Sequence, residues 1–286
     1  GAVTFALLIA LGVGGAGLHS SLNAFIVAVA SATVLGYVVT AMVFLRQMLR
    51  DKITDFAWPG WGALKRLLIT NGWQLLGSSM RQLTYAIMSI TAATMGVAPC
   101  AAHKIAYEGY WFAGFLIEPC FTAANSLMPT ELMASPKRGK QLAVVITGMA
   151  LVLSVVLGIP IAWLITQPIF TADPAIIAIT TLLAPMLFAK CILGNIVYPV
   201  EGILTGMGDY KYLAVVHTCN CALMVLWGHV VRTQGLGIEY LWIGMVAYQG
   251  LRLVEHYVRI AWTKPFSEQN RVKVLKRLAE RDVSGD

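Results

Sequence analysis

Charged residues are scarce in this chain. Only 12% of its 286 residues are Asp, Glu, Lys or Arg, while 58% are hydrophobic and the mean hydropathy is +0.71. A soluble domain usually carries about 25% charged residues. The scarcity argues against a soluble protein and predicts an integral membrane protein with several spans.

Motifs of the familiar enzyme classes are also lacking. The five cysteines form no CxxC pair, and the histidines do not have the spacing of metal ligands. There is no phosphate-binding loop, nucleophile elbow or catalytic triad. We therefore expect free thiols, no metal, no cofactor and no enzymatic activity, with a membrane-embedded enzyme as the weakest alternative.

The positive charge of the chain does not indicate nucleic acid. The formal net charge is +7, but basic residues of membrane proteins gather in the loops that stay on the insertion side. We expect membrane lipids, and no nucleic acid, as partners.

Long apolar runs predict an all-α, polytopic membrane helix bundle. Crossing the hydrocarbon core takes about 20 apolar residues, and seven runs satisfy this after a short stub at the start of the chain. The predicted spans cover residues 19–45, 67–95, 101–130, 142–166, 175–206, 212–231 and 239–261.

The basic residues support this number of spans. The links 46–66, 131–141 and 207–211, together with Arg259 and the C-terminal tail, hold 16 Lys and Arg residues, whereas the opposite links hold only Arg232. This division places those three links and the tail on the inner side. The tail from Ser267 is predicted to form a short amphipathic helix on the membrane surface, with a solvated tail as the alternative.

The run from Ala101 to Met133 carries Glu118 directly before Pro119. A carboxylate and a helix breaker are both unfavourable at bilayer depth, so together they indicate a working site in a transporter. Our hypothesis is that Glu118 couples protonation to substrate movement, with Arg81 or Lys190 as its partner. The alternative is a static buried ion pair that orders the helices.

The other ionisable residues in the spans have simpler interpretations. Local pairing on one helical face is expected for Lys104 with Glu108, and for Arg252 with Glu255 or His256. Glu201 lies eleven residues after Lys190, about three turns along the same face. Because it is close to the inner end of its span, it is expected to pair with Lys211.

Prolines inside the spans predict kinks, because each removes one hydrogen bond of the helix. Pro119 and Pro199 are hinge candidates because each lies near a glutamate. Pro160 and Pro185 are interpreted as packing kinks.

Three stretches in consistent order resemble the multidrug and toxic compound extrusion (MATE) family. Residues 12–24, GVGGAGLHSSLNA, look like the entry to its sixth helix. Residues 96–129, with an AAHQ-like start and an SLMP-like ending, are similar to its eighth helix. Residues 200–213, VEGILTGMGDYKYL, look like its QGvLrGaGD signature after helix ten. The residues that we single out in the second and third motifs are His103, Asn125, Pro129, Gly202, Gly206, Gly208 and Asp209.

The Glu118-Pro119 pair and the SLMP ending particularly resemble the plastid-directed plant branch, which is related to the bacterial DinF-like group.

The resemblance implies the C-terminal portion of a two-lobe transporter. Residues 1–45 would then be the end of the N-lobe, with a stub and one helix, and 46–66 a basic link between the lobes. Residues 67–262 would be a C-lobe of six transmembrane helices, and 263–286 a basic inner-side tail. The missing N-lobe of the same polypeptide is the expected partner of this portion.

The resemblance also implies a secondary antiporter that exports small organic compounds by alternating access, in exchange for H⁺ or Na⁺. The expected substrates are drug-like molecules, including organic cations, or aromatic organic acids, and a cavity walled by Arg81 and Lys190 would favour the acids. The plastid envelope is the membrane implied by the resemblance, with the plasma membrane or another organelle as alternatives. Two rival functions are a lipid-linked oligosaccharide flippase, which needs a more cationic cavity, and a structural membrane subunit.

The sequence departs from the family in the helix that follows the basic link. Many members carry a glutamate there for cation coupling, but the span 67–95 has no acidic residue and offers Arg81 instead. This departure argues against sodium coupling at that position.

Overall fold

Seven long helices account for most of the residues that the computed structural model describes, which are residues 22–51, 60–269 and 271–272. They are α1 (Leu22–Arg50), α2 (Gly60–Ala93), α3 (Val97–Ala134), α4 (Pro136–Leu164), α5 (Pro174–Gly206), α6 (Tyr210–Thr233) and α7 (Ile238–Thr263). Each predicted span corresponds to one of these helices, and the described ranges contain no strand. The predicted all-α fold is confirmed.

Three of the described helices, α4, α5 and α6, are by themselves long and apolar enough to cross a membrane. Helix α3 has 38 residues, so its length is about 57 Å at 1.5 Å per residue. It continues without interruption through Pro119, and α5 continues through Pro199. The hinge role of these two prolines stays a prediction.

Two of the helices begin where the local sequence favours a helix start. Asp173 precedes α5, and its carboxylate accepts a hydrogen bond of 2.9 Å from a backbone amide of the first turn. Ser135 both ends α3 and caps α4 in the same way, with its hydroxyl as acceptor. Pro174 and Pro136 occupy the first helical positions, where no backbone hydrogen bond is lost.

The chain divides into two compact units, Gly1–Leu64 and Lys65–Asp286. In the first unit, several large apolar side chains in the described part of α1 are exposed, and both Met42 and Phe44 are 64% exposed. The second unit contains the packed helix bundle. The predicted boundaries of the lobes stay a prediction. The stub before residue 22, residues 52–59 of the basic link and the tail after residue 272 lie outside the described residues.

Helix α3 contributes one continuous face to the core of the bundle. Its buried residues are Ala102, His103, Ala106, Tyr110, Ala113, Gly114, Ile117, Cys120, Ala124 and Met128. Most of them recur every three or four positions, which is the spacing of one helical face. Because most of these side chains are small, the neighbouring helices can approach closely.

Two glycines allow α5 to lie directly against α3. A Cβ atom at Gly202 would lie 2.6 Å from the carbonyl oxygen of Phe121, and one at Gly206 would lie 2.7 Å from that of Asn125. The spacing of four residues places both glycines on one face of α5, as in other closely packed membrane helices. These two glycines of the third motif therefore have a structural role.

Candidate functional site

Helix α5 carries two buried ionisable residues on one side. Glu201 is 2% exposed and Lys190 is completely buried. Eleven residues separate them, which corresponds to about 16 Å along the helix axis. Both face the interior of the bundle, where α2 and α7 contact each of them.

The carboxylate of Glu201 collects donors from three other helices. Its Oε2 accepts a hydrogen bond of 2.9 Å from Nη1 of Arg81 on α2. Its Oε1 accepts from Nη2 of Arg252 and lies 3.1 Å from Nε2 of His256, both on α7. The Nε2 atom of His217 on α6 lies 3.4 Å from the same oxygen. These five residues form what we call the Glu201 cluster.

The cluster compensates a charge that would be unfavourable if it were alone in the core. A buried carboxylate is tolerated when it is paired and its lone pairs are hydrogen-bonded. Here two guanidinium groups face one carboxylate, so the cluster has an excess of positive charge even with both histidines neutral. The same contacts tie α2, α6 and α7 to a single residue of α5.

A cleft between α2, α5 and α6 leads to the cluster. Arg81, Glu201 and His217 lie on its wall, and the other lining residues are Trp73, Gln74, Gly77, Ser78, Phe121, Thr205, Tyr210 and Leu213. The side chain of Arg81 is 25% exposed, whereas that of Glu201 is 3% exposed. Solvent or a ligand in the cleft therefore meets Arg81 before it meets the carboxylate.

Lys190 lies inside a cage of aromatic rings. Its Nζ is 3.1 Å from the ring centre of Tyr110. The ring centres of Tyr85, Tyr107 and Trp242 lie 5.2, 5.4 and 5.6 Å away. Within the described part of the chain this nitrogen has no hydrogen-bond acceptor. The faces of aromatic rings attract a cation but do not replace an acceptor.

Gln249 on α7 joins the Glu201 cluster to the cage. Its Oε1 accepts a hydrogen bond of 2.6 Å from Nη1 of Arg252. Its Nε2 donates to the hydroxyl oxygens of Tyr85 and Tyr110, at 3.1 and 2.9 Å. The two ionisable residues of α5 are thus connected by a chain of side chains that runs through α7.

Glu118 does not have the partner that the sequence predicted. Arg81 lies near enough to interact with it electrostatically, but no hydrogen bond or ion pair joins Glu118 to another residue in the described ranges. Arg81 instead binds Glu201, because that carboxylate is buried among helices while Glu118 is exposed on α3. Lys190 is also no partner, since it is enclosed in the cage.

The expected pair between Glu201 and Lys211 is wrong. Glu201 points into the bundle and binds the arginines, whereas the Nζ of Lys211 lies 5.9 Å from the ring centre of Trp73. The expected local pairing of Arg252 is also wrong, because this residue reaches across to α5.

Three other charged residues outside the cluster have the following partners. Glu255 accepts a hydrogen bond of 2.7 Å from Asn220 on α6. Lys104 and Glu108 do pair on the exposed face of α3, at 2.5 Å, as predicted.

The remaining motif residues have structural surroundings. Asp209 accepts two hydrogen bonds from Arg259, of 2.7 and 2.9 Å, and so ties the start of α6 to α7. Gly208 precedes it with φ of 77°, a conformation that favours glycine. His103 is buried, lies 3.2 Å from Ser89 Oγ through Nε2 and stacks on a cage ring. Pro129 is exposed within α3, and the backbone of Asn125 contacts α5.

Sequence reasoning missed the role of Gln249, Arg252 and His256, although a signal was present. These residues share the α7 face that also buries Leu241 and Met245, at spacings of three or four residues. Polar side chains on an otherwise apolar helical face indicate a buried polar network. His217 carries the same signal on α6, among Leu213, Ala214, Asn220, Cys221 and Met224.

The chain is similar in sequence to proteins named for detoxification and for multidrug and toxin extrusion. It is 24% identical over 267 residues to Protein DETOXIFICATION 45, chloroplastic, of Arabidopsis thaliana, covering 89% of this chain and 43% of that protein. It is 26% identical over 263 residues to Multidrug and toxin extrusion protein 1 of Xenopus tropicalis, covering 86% and 45%. The protein of the same name from Oryctolagus cuniculus is 24% identical over 249 residues, covering 81% and 43%. No family model matches the chain.

The chain spans less than half the length of these relatives. Among solved structures it resembles a MOP superfamily transporter from Pyrococcus furiosus, with a TM-score of 0.51 and 16% identity, over 64% of this chain and 41% of that one. For that transporter, a reverse polarity of the binding pocket is said to suggest a different function. The chain is a multi-pass membrane protein that is similar in sequence to DETOXIFICATION and multidrug and toxin extrusion proteins and in fold to a MOP superfamily transporter.

Proposed function

We propose that this protein, together with the part of its polypeptide not included in this sequence, exports small organic compounds by alternating access. The exchanged ion is H⁺ or Na⁺, as the sequence predicts. The relatives support export by their names, which refer to detoxification and to multidrug and toxin extrusion. In the structure, the observation that carries the proposal is the Glu201 cluster beside an open cleft.

The cluster has the properties of a coupling site. One buried carboxylate holds side chains from α2, α6 and α7, so a change of its charge alters the contacts of three helices at once. A transporter needs such an element, because an ion moves a conformational equilibrium only through different contacts in the two states. Ionisable residues at membrane depth generally serve this kind of role.

The donors around Glu201 favour protons over sodium at this position. Sodium is held by oxygen ligands, whereas both oxygens of Glu201 face N–H groups of arginine and histidine. A proton competes with Arg81 and Arg252 for the carboxylate, so proton binding at Glu201 and these two contacts exclude each other. Glu118, exposed and without an ion pair, is a second candidate for proton binding, as the sequence predicts.

The cleft favours a small organic compound over a lipid-linked oligosaccharide. Arg81 is its one permanently charged cation among the lining residues in the described part of the chain, and His217 is the other basic group. A flippase for a multiply charged lipid carrier would need a more strongly cationic cavity. The plastid envelope remains our proposal for the membrane, since one relative is named chloroplastic.

The test is transport by the complete chain in proteoliposomes, with proton and sodium gradients imposed separately. We expect a proton gradient to drive uptake of a small organic probe, either tetraethylammonium or benzoate. Glu201→Gln, assayed below its lowered unfolding midpoint where the variant is folded, should abolish the response. A correctly folded protein that moves neither probe under any gradient would reject the proposal in favour of a structural subunit. Movement of a lipid-linked sugar instead would favour the flippase.

A further inference from the structure

The cage around Lys190 contains donors without acceptors. Lys190 Nζ and Trp242 Nε1 are both buried, and neither has a hydrogen-bond partner in the described ranges. An ammonium group has only donors, and so does an indole nitrogen. What the cage lacks is therefore an acceptor, and an acceptor with a negative charge would match it best.

The charges of the bundle interior point to the same deficit. Arg81, Arg252 and Lys190 all reach into it, whereas Glu201 is the one carboxylate buried there among the described residues. Both arginines already use that carboxylate. Lys190 lies about three turns of α5 away from Glu201. It does not contact this carboxylate and is left without a counter-charge.

The orientation of Gln249 explains why the tyrosines do not supply the missing acceptor. Arg252 donates to its Oε1, which turns its amide nitrogen toward Tyr85 and Tyr110. The hydroxyl oxygens of both tyrosines accept from that nitrogen. Lys190 therefore meets the faces of their rings and not their oxygen atoms.

We propose that Lys190 and Trp242 form a binding site for the negatively charged group of a small monovalent anion, either a carboxylate or a halide. The site is closed in this conformation and accepts the anion when α3 and α7 move apart around Lys190. It rests on the transport function proposed above, of which it would be the anion-binding element. An aromatic carboxylate suits the site because its ring can stack on the cage walls.

The chain through Gln249 links this anion site to the Glu201 cluster. When Glu201 binds a proton, Arg252 loses its charged partner and no longer fixes Gln249. Gln249 can then rotate and release the tyrosine hydroxyls, which loosens the cage. Proton binding at Glu201 should therefore change the affinity of Lys190 for the anion, and this coupling is reciprocal.

The test is calorimetric titration of the complete chain in lipid nanodiscs with sodium benzoate, and separately with sodium chloride. Gluconate keeps the ionic strength constant. We expect one saturable site for benzoate, and a loss of affinity of about tenfold or more in Lys190→Met, since a charge-assisted contact is removed. Lys190→Arg should stay within a few-fold of the unaltered protein. Lys104→Met, which changes an exposed lysine on α3, is the matched control and should bind normally.

Chloride separates the two sources of the anion. If chloride binds and benzoate does not, the site is a halide site. If both bind and compete, the site accepts either a carboxylate or a halide. Unchanged benzoate and chloride binding in Lys190→Met, or the absence of any anion binding, would overturn the proposal. If Lys190→Met does not fold, Trp242→Phe replaces it, with weakened binding expected and normal binding as the contrary result. The titration measures binding and not transport. If the protein binds the anion but exports no compound, the export function is rejected and the anion site is retained.

Discussion

Arg252 donates one amino group to Glu201 and the other to Gln249, so a single guanidinium on α7 connects a carboxylate of α5 with the amide that fixes two tyrosines. Its side chain is only 4% exposed. This geometry makes Glu201 the residue on which the arrangement of the bundle interior depends most directly.

Glu201→Gln should destabilise the protein strongly. The amide keeps the shape of the side chain but leaves Arg81 and Arg252 without their counter-charge. Breaking a buried pair in this way typically costs about 3 to 5 kcal/mol. The measurement is the midpoint of thermal unfolding in detergent, which should fall clearly. The matched control is Glu108→Gln on exposed α3, where the pair with Lys104 should contribute no more than about 1 kcal/mol. Equal midpoints for the two variants would contradict the central place of Glu201.

Gly206→Ala should separate α3 from α5. The added Cβ would lie 2.7 Å from the carbonyl oxygen of Asn125. Because the nearest atoms are backbone atoms of α3, they cannot move aside as the end of a flexible side chain could. Overpacking of this kind costs about 1 to 3 kcal/mol. Gly148→Ala on α4 is the control, because a Cβ there meets nothing within 4 Å. Its thermal midpoint should be unchanged or slightly raised, since alanine favours a helix over glycine.

The sequence predicted the helices well because membrane spans depend on long apolar runs, and these are visible without knowledge of packing. Lys104 with Glu108 was also predictable, since a spacing of four residues along one helix is local. The Glu201 cluster was not predictable, because Arg81 and Arg252 are distant from Glu201 in sequence and only the fold brings these residues together. The cage around Lys190 depends in the same way on rings from α2, α3 and α7.

The pair of Asp209 and Arg259 should contribute to the junction between α5, α6 and α7. Its two parallel hydrogen bonds give it the geometry of a strong pair, although Arg259 is 34% exposed. A double-mutant cycle with Asp209→Asn and Arg259→Gln should give a coupling energy of about 1 kcal/mol, measured by unfolding. The Glu131 and Arg138 pair, with its arginine 61% exposed, is the control and should give less. Additive effects at Asp209 and Arg259 would mean that the contact does not stabilise the junction.

Glu118→Gln should separate coupling from stability. Because Glu118 is exposed and has no ion pair in the described residues, its replacement by the neutral amide should change the free energy of unfolding by no more than about 0.5 kcal/mol. If Glu118 binds a transported proton, proton-driven uptake in proteoliposomes should nevertheless decline, while binding of the substrate persists. If proton-driven uptake in the variant is undiminished, Glu118 is not the coupling residue. Glu201, the buried carboxylate of the bundle, is then the favoured coupling residue. A variant that loses both stability and uptake would instead show that Glu118 holds the helices together.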